Sequence, residues 1–263
     1  MKKIKFIILM LALTSICFAK KHKKYEKAPK GMVFCPKGSF NLQKITSNDT
    51  TTIKVALRSF WVSNEITNKE FRVFYNYLTK NKDKSIEWTE IIKANDALPQ
   101  TKLSKFSCKE LLSHHINTHI FKNKPKRENY FFDAEFNDYP VVGISKTAAK
   151  MYCIWKTNTE NDQLAQKGWP QIMAYRLPTE TEWDYMQSFG ISKKQKSVTN
   201  DLHNVKKGIL SNLGIYNIAG NVAEWVSTTN RINEKTLNIA KGPSYKRIKK
   251  IATHYLQKHK VAI

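Results

Sequence analysis

The stretch Leu213 to Trp225 reads Leu-Gly-Ile-Tyr-Asn-Ile-Ala-Gly-Asn-Val-Ala-Glu-Trp, and it carries more specialised positions than an ordinary loop needs. Gly214 and Gly220 can adopt backbone angles that a side chain forbids, while Asn217, Asn221 and Glu224 bring oxygen-bearing side chains close to carbonyls that such turns point inward. That is chemistry suited to a hard cation: calcium takes about six to eight oxygens from carboxylates, amides and backbone carbonyls. One Gly-punctuated turn with a single carboxylate supplies about half of such a shell. The same residues also make a tight turn in which Ile215, Ile218, Val222 and Trp225 plug the core and the polar groups satisfy backbone. Spacing alone leaves both readings open.

The chain delivers itself to this loop through short, clearly punctuated elements. Met32-Val33-Phe34 and Ser39-Phe40-Asn41-Leu42 flank Pro36-Lys37-Gly38, a pattern that predicts a hairpin. Alternation at Ile53, Val55 and Leu57, and then Phe60-Trp61-Val62, predicts further strands. Thr67-Asn68-Lys69-Glu70 is a capping box ahead of Phe71, Phe74, Tyr75 and Leu78, one apolar helical stripe. From Lys80 to about Asn129 the chain is polar, and the pattern suggests an insertion over the domain with short helical pieces at Trp88 to Ala94 and Cys108 to His115. Ser145 is placed to cap a helix carrying Ala148, Met151, Tyr152 and Trp155. A second capping box, Thr179 to Glu182, starts a short third helix with Trp183 and Met186 inward. An extended piece, Asn238 to Lys241, and a turn at Gly242 to Tyr245 precede a basic finish.

Residues 1–19 place Lys2, Lys3 and Lys5 before an apolar run from Phe6 to Leu13 and a neck ending at Ala19, the pattern of an export signal. Ile16 is bulky where a lipoprotein signal has a small residue, so cleavage after Ala19 is preferred to lipid attachment at Cys17. Residues 20–30 form a basic tether, and residues 31–263 read as one domain. Loss of the three signal lysines lowers the net charge from +24 to +21. A surface so basic attracts anionic lipid, acidic glycan or an acidic protein, or it is simply a solvated lysine face. Nucleic acid is not expected, because the lysines are scattered without interleaved aromatics. Cys35, Cys108 and Cys153 remain after cleavage, an odd number, and Cys35 with Cys108 is the pairing to test. No Cys or His spacing suits zinc.

These stretches, in this order, resemble the formylglycine-generating-enzyme, or sulfatase-modifying-factor, domain. The resemblance rests on Gly31-Met32-Val33 with Gly38-Ser39-Phe40, Glu65 to Phe71, Tyr139 to Ser145, Tyr152-Cys153-Ile154-Trp155, Tyr175 to Trp183, the loop itself, and Lys241 to Tyr245. It implies an α+β domain with a C-type-lectin-like fold, short capped helices around irregular antiparallel sheet. Asn129 to Phe132, Asn137 to Pro140 and Tyr255-Leu256-Gln257 are similar to the gliding-motility and type IX secretion lipoproteins of the Bacteroidetes envelope. That similarity implies an exported, periplasmic or outer-membrane-associated scaffold, with an envelope protein such as a secretion-ring subunit as partner, and an oligomer.

In the family's enzymes the matching loop holds a structural calcium, through positions that fall on Asn217, the carbonyls of Gly220 and Val222, and Glu224. A second family calcium site needs a longer segment than residues 190–210. The enzymes hold copper between two cysteines that follow the turn matching Gly242 to Tyr245, yet Lys246 to His254 contains no cysteine and none occurs after Cys153. Copper is therefore not expected, because a soft cuprous ion requires thiolates. Related sulfoxide synthases use three histidines; His254 and His259 have no third partner in a matching motif and read as surface residues. The family's closing strand has no full match: either Lys260 to Ile263 supplies a shortened strand, or a sheet edge is left beside the cationic rim of Lys246, Arg247, Lys249 and Lys250, open to strand addition by an acidic segment, unless this terminus is simply solvated. A non-catalytic envelope module is the leading expectation; a sulfatase-modifying oxidoreductase and a lectin-like glycan-binding module are the alternatives.

Overall fold

The computed structural model describes residues 29–45, 50–92, 100–190, 201–218, 220–232 and 235–242. The signal and the first part of the tether, and the tail beyond Gly242 with Lys246 to Lys250, His254 and His259, lie outside the described residues. The elements belong to the unit Gly31–Ile263. They are β1 (Met32–Cys35), β2 (Gly38–Ile45), β3 (Thr50–Leu57), β4 (Phe60–Ser63), α1 (Asn68–Lys80), β5 (Ser85–Ile92), β6 (Gln100–Ser107), the short α2 (Cys108–Glu110), α3 (Lys146–Gln166), α4 (Glu180–Ser188), β7 (Glu224–Ile232) and β8 (Lys235–Lys241). The π-helical turn Leu111–His115 continues α2.

Helices α1, α3 and α4 begin where local chemistry dictates. Both capping boxes form: Thr67 and Thr179 each accept from the amide three residues on, while Glu70 and Glu182 reach back to the cap amides. Ser145 Oγ accepts from the Ala148 amide at 3.1 Å and starts α3. The stripe of α1 is buried at Phe71, Phe74 and Leu78. It packs on α3, where Phe71 stacks on Tyr152 with ring centroids 5.4 Å apart and Phe74 meets Trp155 at 5.3 Å. Fully burying aromatic and aliphatic groups of this size stabilises by about 1.5–3 kcal/mol each before the entropy of ordering them is counted.

The strands pair as four separate antiparallel ribbons among the described residues: β1 with β4, β2 with β3, β5 with β6, and β7 with β8. Mixed helices and small antiparallel sheets make this an α+β domain. Two expectations are corrected. The hairpin read across Met32 to Leu42 does not form, because β1 pairs with β4 in the register Val33 to Val62, and β2 pairs with β3. Pro36 fixes its own φ and lacks an amide proton, and Val33 and Val62 pack against one core cluster with Cys35 and Trp183. Gly38 is required by packing, since a Cβ there would strike the Tyr185 hydroxyl.

The second correction concerns Trp88 to Ala94, expected as a helical piece; Trp88 instead lies in β5, whose described part runs to Ile92. Alternation decides it. Ile86 is buried and Trp88 packs against the same cluster, while Glu87 between them and Thr89 after Trp88 are exposed. Lys150 of α3 sits over the Trp88 ring at 5.0 Å, and Asn158 donates to the Glu87 carbonyl at 3.3 Å. Cys108 to His115 is helical, as its pattern predicts, and it buries Cys108 and Leu111 in the main cluster.

Candidate functional site

The loop after Gly208 is built as a closed turn. The Ser211 amide donates to the Ile215 carbonyl at 2.8 Å, and the Asn217 amide donates to the Ile209 carbonyl at 2.8 Å. Gly214 at φ +92 rounds the tip, an angle that a side chain disfavours. From there the stretch sends one residue or more into each of three core clusters: Ile215, Ile218 and Val226 into the one around Trp183, Val222 into the one around Tyr130, and Trp225 into the main one. Trp225 Nε1 donates to the Ile144 carbonyl at 3.1 Å. A peptide so fixed by its apolar side chains leaves its polar groups little freedom.

Those polar groups divide into two sets. Asn217 and Asn221 both adopt positive φ, 62° and 60°, a conformation that Asn tolerates better than other side chains. Both are buried, and both Nδ2 groups donate to the same oxygen, Glu65 Oε2, at 3.0 Å. Asn217 Nδ2 also reaches the Val205 carbonyl at 3.3 Å, and its Oδ1 faces His203 Nε2 at 3.2 Å. Asn221 clasps the backbone of His203, accepting from its amide and donating to its carbonyl, both at 3.1 Å. Gly208 lies so close that a Cβ there would meet Asn217 Oδ1 and the His203 ring.

The second set gathers around Glu224. Trp183 Nε1 donates to Glu224 Oε2 at 2.6 Å. The Val222 carbonyl lies 3.6 Å from where a Gly242 Cβ would stand, with the Trp183 ring beside it. Burial pushes the Glu224 carboxyl up to about 7, and the Trp183 bond only partly opposes this. Glu65 is pushed well above the usual carboxylate range, by burial first and then by the charge of Glu224, against the bonds from Asn217 and Asn221 and the nearby Val222 amide. Glu65 Oε1 is buried without a hydrogen-bond partner among the described residues.

Of the residues expected to hold calcium, Glu224 and the Val222 carbonyl lie together on the Trp183 side, whereas the Asn217 carboxamide is spent on His203, Val205 and Glu65. The donor types suit a hard cation in kind: the buried Glu224 carboxylate and the Val222 carbonyl. Among the described residues no three His, Cys, Asp or Glu side chains form a metal-ligating group. Glu65 was not singled out from the sequence as a site residue, and its 152-residue separation from Asn217 hides it from any local pattern.

The cysteines do not fit copper. Cys35, Cys108 and Cys153 are free and buried, so the Cys35–Cys108 pairing does not form. Cys35 packs in the Trp183 cluster, away from the cluster that holds Cys108 and Cys153. Burial pushes Cys35 up to about 11 and Cys153 up to about 12, and it raises Cys108 as well. Burial holds these thiols protonated in the metal-free chain, and none of them follows the turn where the family's copper ligands stand.

A family model described as the sulfatase-modifying factor enzyme 1-like domain matches residues 18–209, nearly three quarters of the chain. The chain belongs to that family. The match to the sulfatase-modifying factor domain takes in both capping boxes and the helices they start, and it stops short of the loop. The case for an ion in this family member therefore rests on the loop's own residues. No curated protein matches the chain.

Proposed function

We propose that this sulfatase-modifying-factor-like chain is a non-catalytic scaffold or binding module of the cell envelope, related to the gliding-motility and type IX secretion ring lipoproteins. It keeps the C-type-lectin-like variant of the fold, is exported, and meets an envelope protein through its basic surface, with anionic lipid or glycan as further contacts. The observation that carries this reading is the donor set. Three buried thiols with raised pKa, and a sequence without cysteine after Cys153, supply no thiolate pair for the copper of the family's enzymes. The loop serves structure: Glu224 and the carbonyls of Gly220 and Val222, with Asn217 Oδ1 exchanging its contact with His203 for the ion while Nδ2 stays on Glu65, hold one calcium. That ion supplies the positive charge that lets the buried Glu224 ionise.

The deciding experiment incubates the purified, copper-loaded protein with a sulfatase peptide of the cysteine type and follows the mass of the peptide. The expected outcome is an unchanged cysteine. Conversion to the aldehyde overturns the scaffold reading and makes the chain an oxidoreductase.

A further inference from the structure

We infer that Glu65 is the positioning residue of the calcium loop, holding Asn217 and Asn221 at a fixed separation so that the carbonyls around them are presented to the ion before it arrives. The inference rests on the calcium reading above and adds a residue from the other end of the domain. Glu65 stands between β4 and α1 and is 4 % exposed. Its Oε2 alone receives both asparagine amides at 3.0 Å. Each asparagine is at positive φ, a conformation that persists when the surroundings over-determine it. One shared acceptor does that for both turns at once.

The clasp brackets the ligands. Gly220 lies between the two pinned asparagines, and Val222 follows the second directly. The neighbouring residue Asn64 fastens the loop again, its Oδ1 accepting from the Tyr216 amide at 2.9 Å. Segment 201–208 closes the far side through His203 and Val205. Glu65 thus acts through the asparagines, which occupy its Oε2, while Glu224 and the Val222 carbonyl lie towards Trp183 and Gly242. Stability alone is a poor reason for this group. A buried carboxylate with neutral donors and no cation carries a desolvation cost that an uncharged side chain avoids.

Terbium is a suitable calcium probe, because Trp183, bonded directly to Glu224, should sensitise its luminescence. The measurement is terbium luminescence and its displacement by calcium, with circular dichroism and melting followed in parallel. Wild type should bind. Glu65→Gln keeps the size but sets an amide where an oxygen stood, and calcium affinity should fall by about tenfold or more, the range found when groups that orient metal ligands are changed. Asn221→Gly, which tolerates the same φ and removes one arm of the clasp, should weaken affinity in the same direction and provides the test if Glu65→Gln does not fold. Unchanged affinity in folded variants, with melting lowered equally with and without calcium, overturns the inference and leaves Glu65 a structural residue. A wild type that binds neither ion overturns the calcium reading as well.

Discussion

Two buried glutamates receive several hydrogen bonds each and end in opposite states. At the start of α4, Glu182 accepts from Arg176 through both oxygens, at 2.7 and 2.6 Å, and from the Thr179 amide at 2.8 Å. Burial pushes its carboxyl up, but Arg176 and Thr179 outweigh burial and hold it below the usual range. Behind the loop, Glu65 is more deeply enclosed, its donors are neutral amides and its charged neighbour is Glu224, so it is pushed well up. Hydrogen bonds alone do not carry a charge into a protein; a compensating charge is needed. The α4 corner holds its own cation, whereas at the loop the proposed calcium would have to supply one.

The largest test of this contrast is Glu182→Ala, which removes a capping box and a bidentate ion pair together. Because the Arg176 side chain is 56 % exposed, the ion pair is discounted for solvent screening, and the total loss should be about 3 kcal/mol in urea unfolding. Next comes chelation of the wild type. At calcium about 100-fold above its Kd, removal should cost about 2–3 kcal/mol and lower the Tm by several degrees, while Glu224→Gln should melt alike with and without chelator. Identical wild-type melting in both conditions would leave the loop as a core plug. The smallest effect is acid dependence. The folded Glu182 pKa is lowered, so its contribution is present above the unfolded value near 4.5 and is lost as pH falls through the folded value. Glu182→Gln should therefore flatten the acid limb of stability by about 1 kcal/mol.

What could be read from the sequence was what neighbours in the chain decide among themselves. Thr67 with Glu70, Thr179 with Glu182, and Ser145 with Ala148 are three residues apart, and all three helix starts follow from them. The apolar residues of the loop were legible as core plugs for the same reason, since their burial is set by a short pattern. Strand partners were not, because β1 chooses β4 over β2 through side chains that meet only in the folded core. Trp88 misled because a lone aromatic in a polar stretch fits either period, and the Ile86 beside it turns inward only once α3 is in place. Glu65 entered only as the first residue of the stretch Glu65 to Phe71 that carries the resemblance, whereas its partners lie more than 150 residues on.

Every pairing among the described strands joins just two of them, so no described strand is enclosed on both sides. The core clusters draw chiefly on helices, short turns and strand ends. The links from β2 to β3, from β5 to β6 and from β7 to β8 fall at residues 46–49, 93–99 and 233–234. Each ribbon thus keeps its own register, and a shift in one ladder alters the pairing of no other described strand. For evolution, the four ladders can therefore change one at a time while the capped helices and the loop stay as they are.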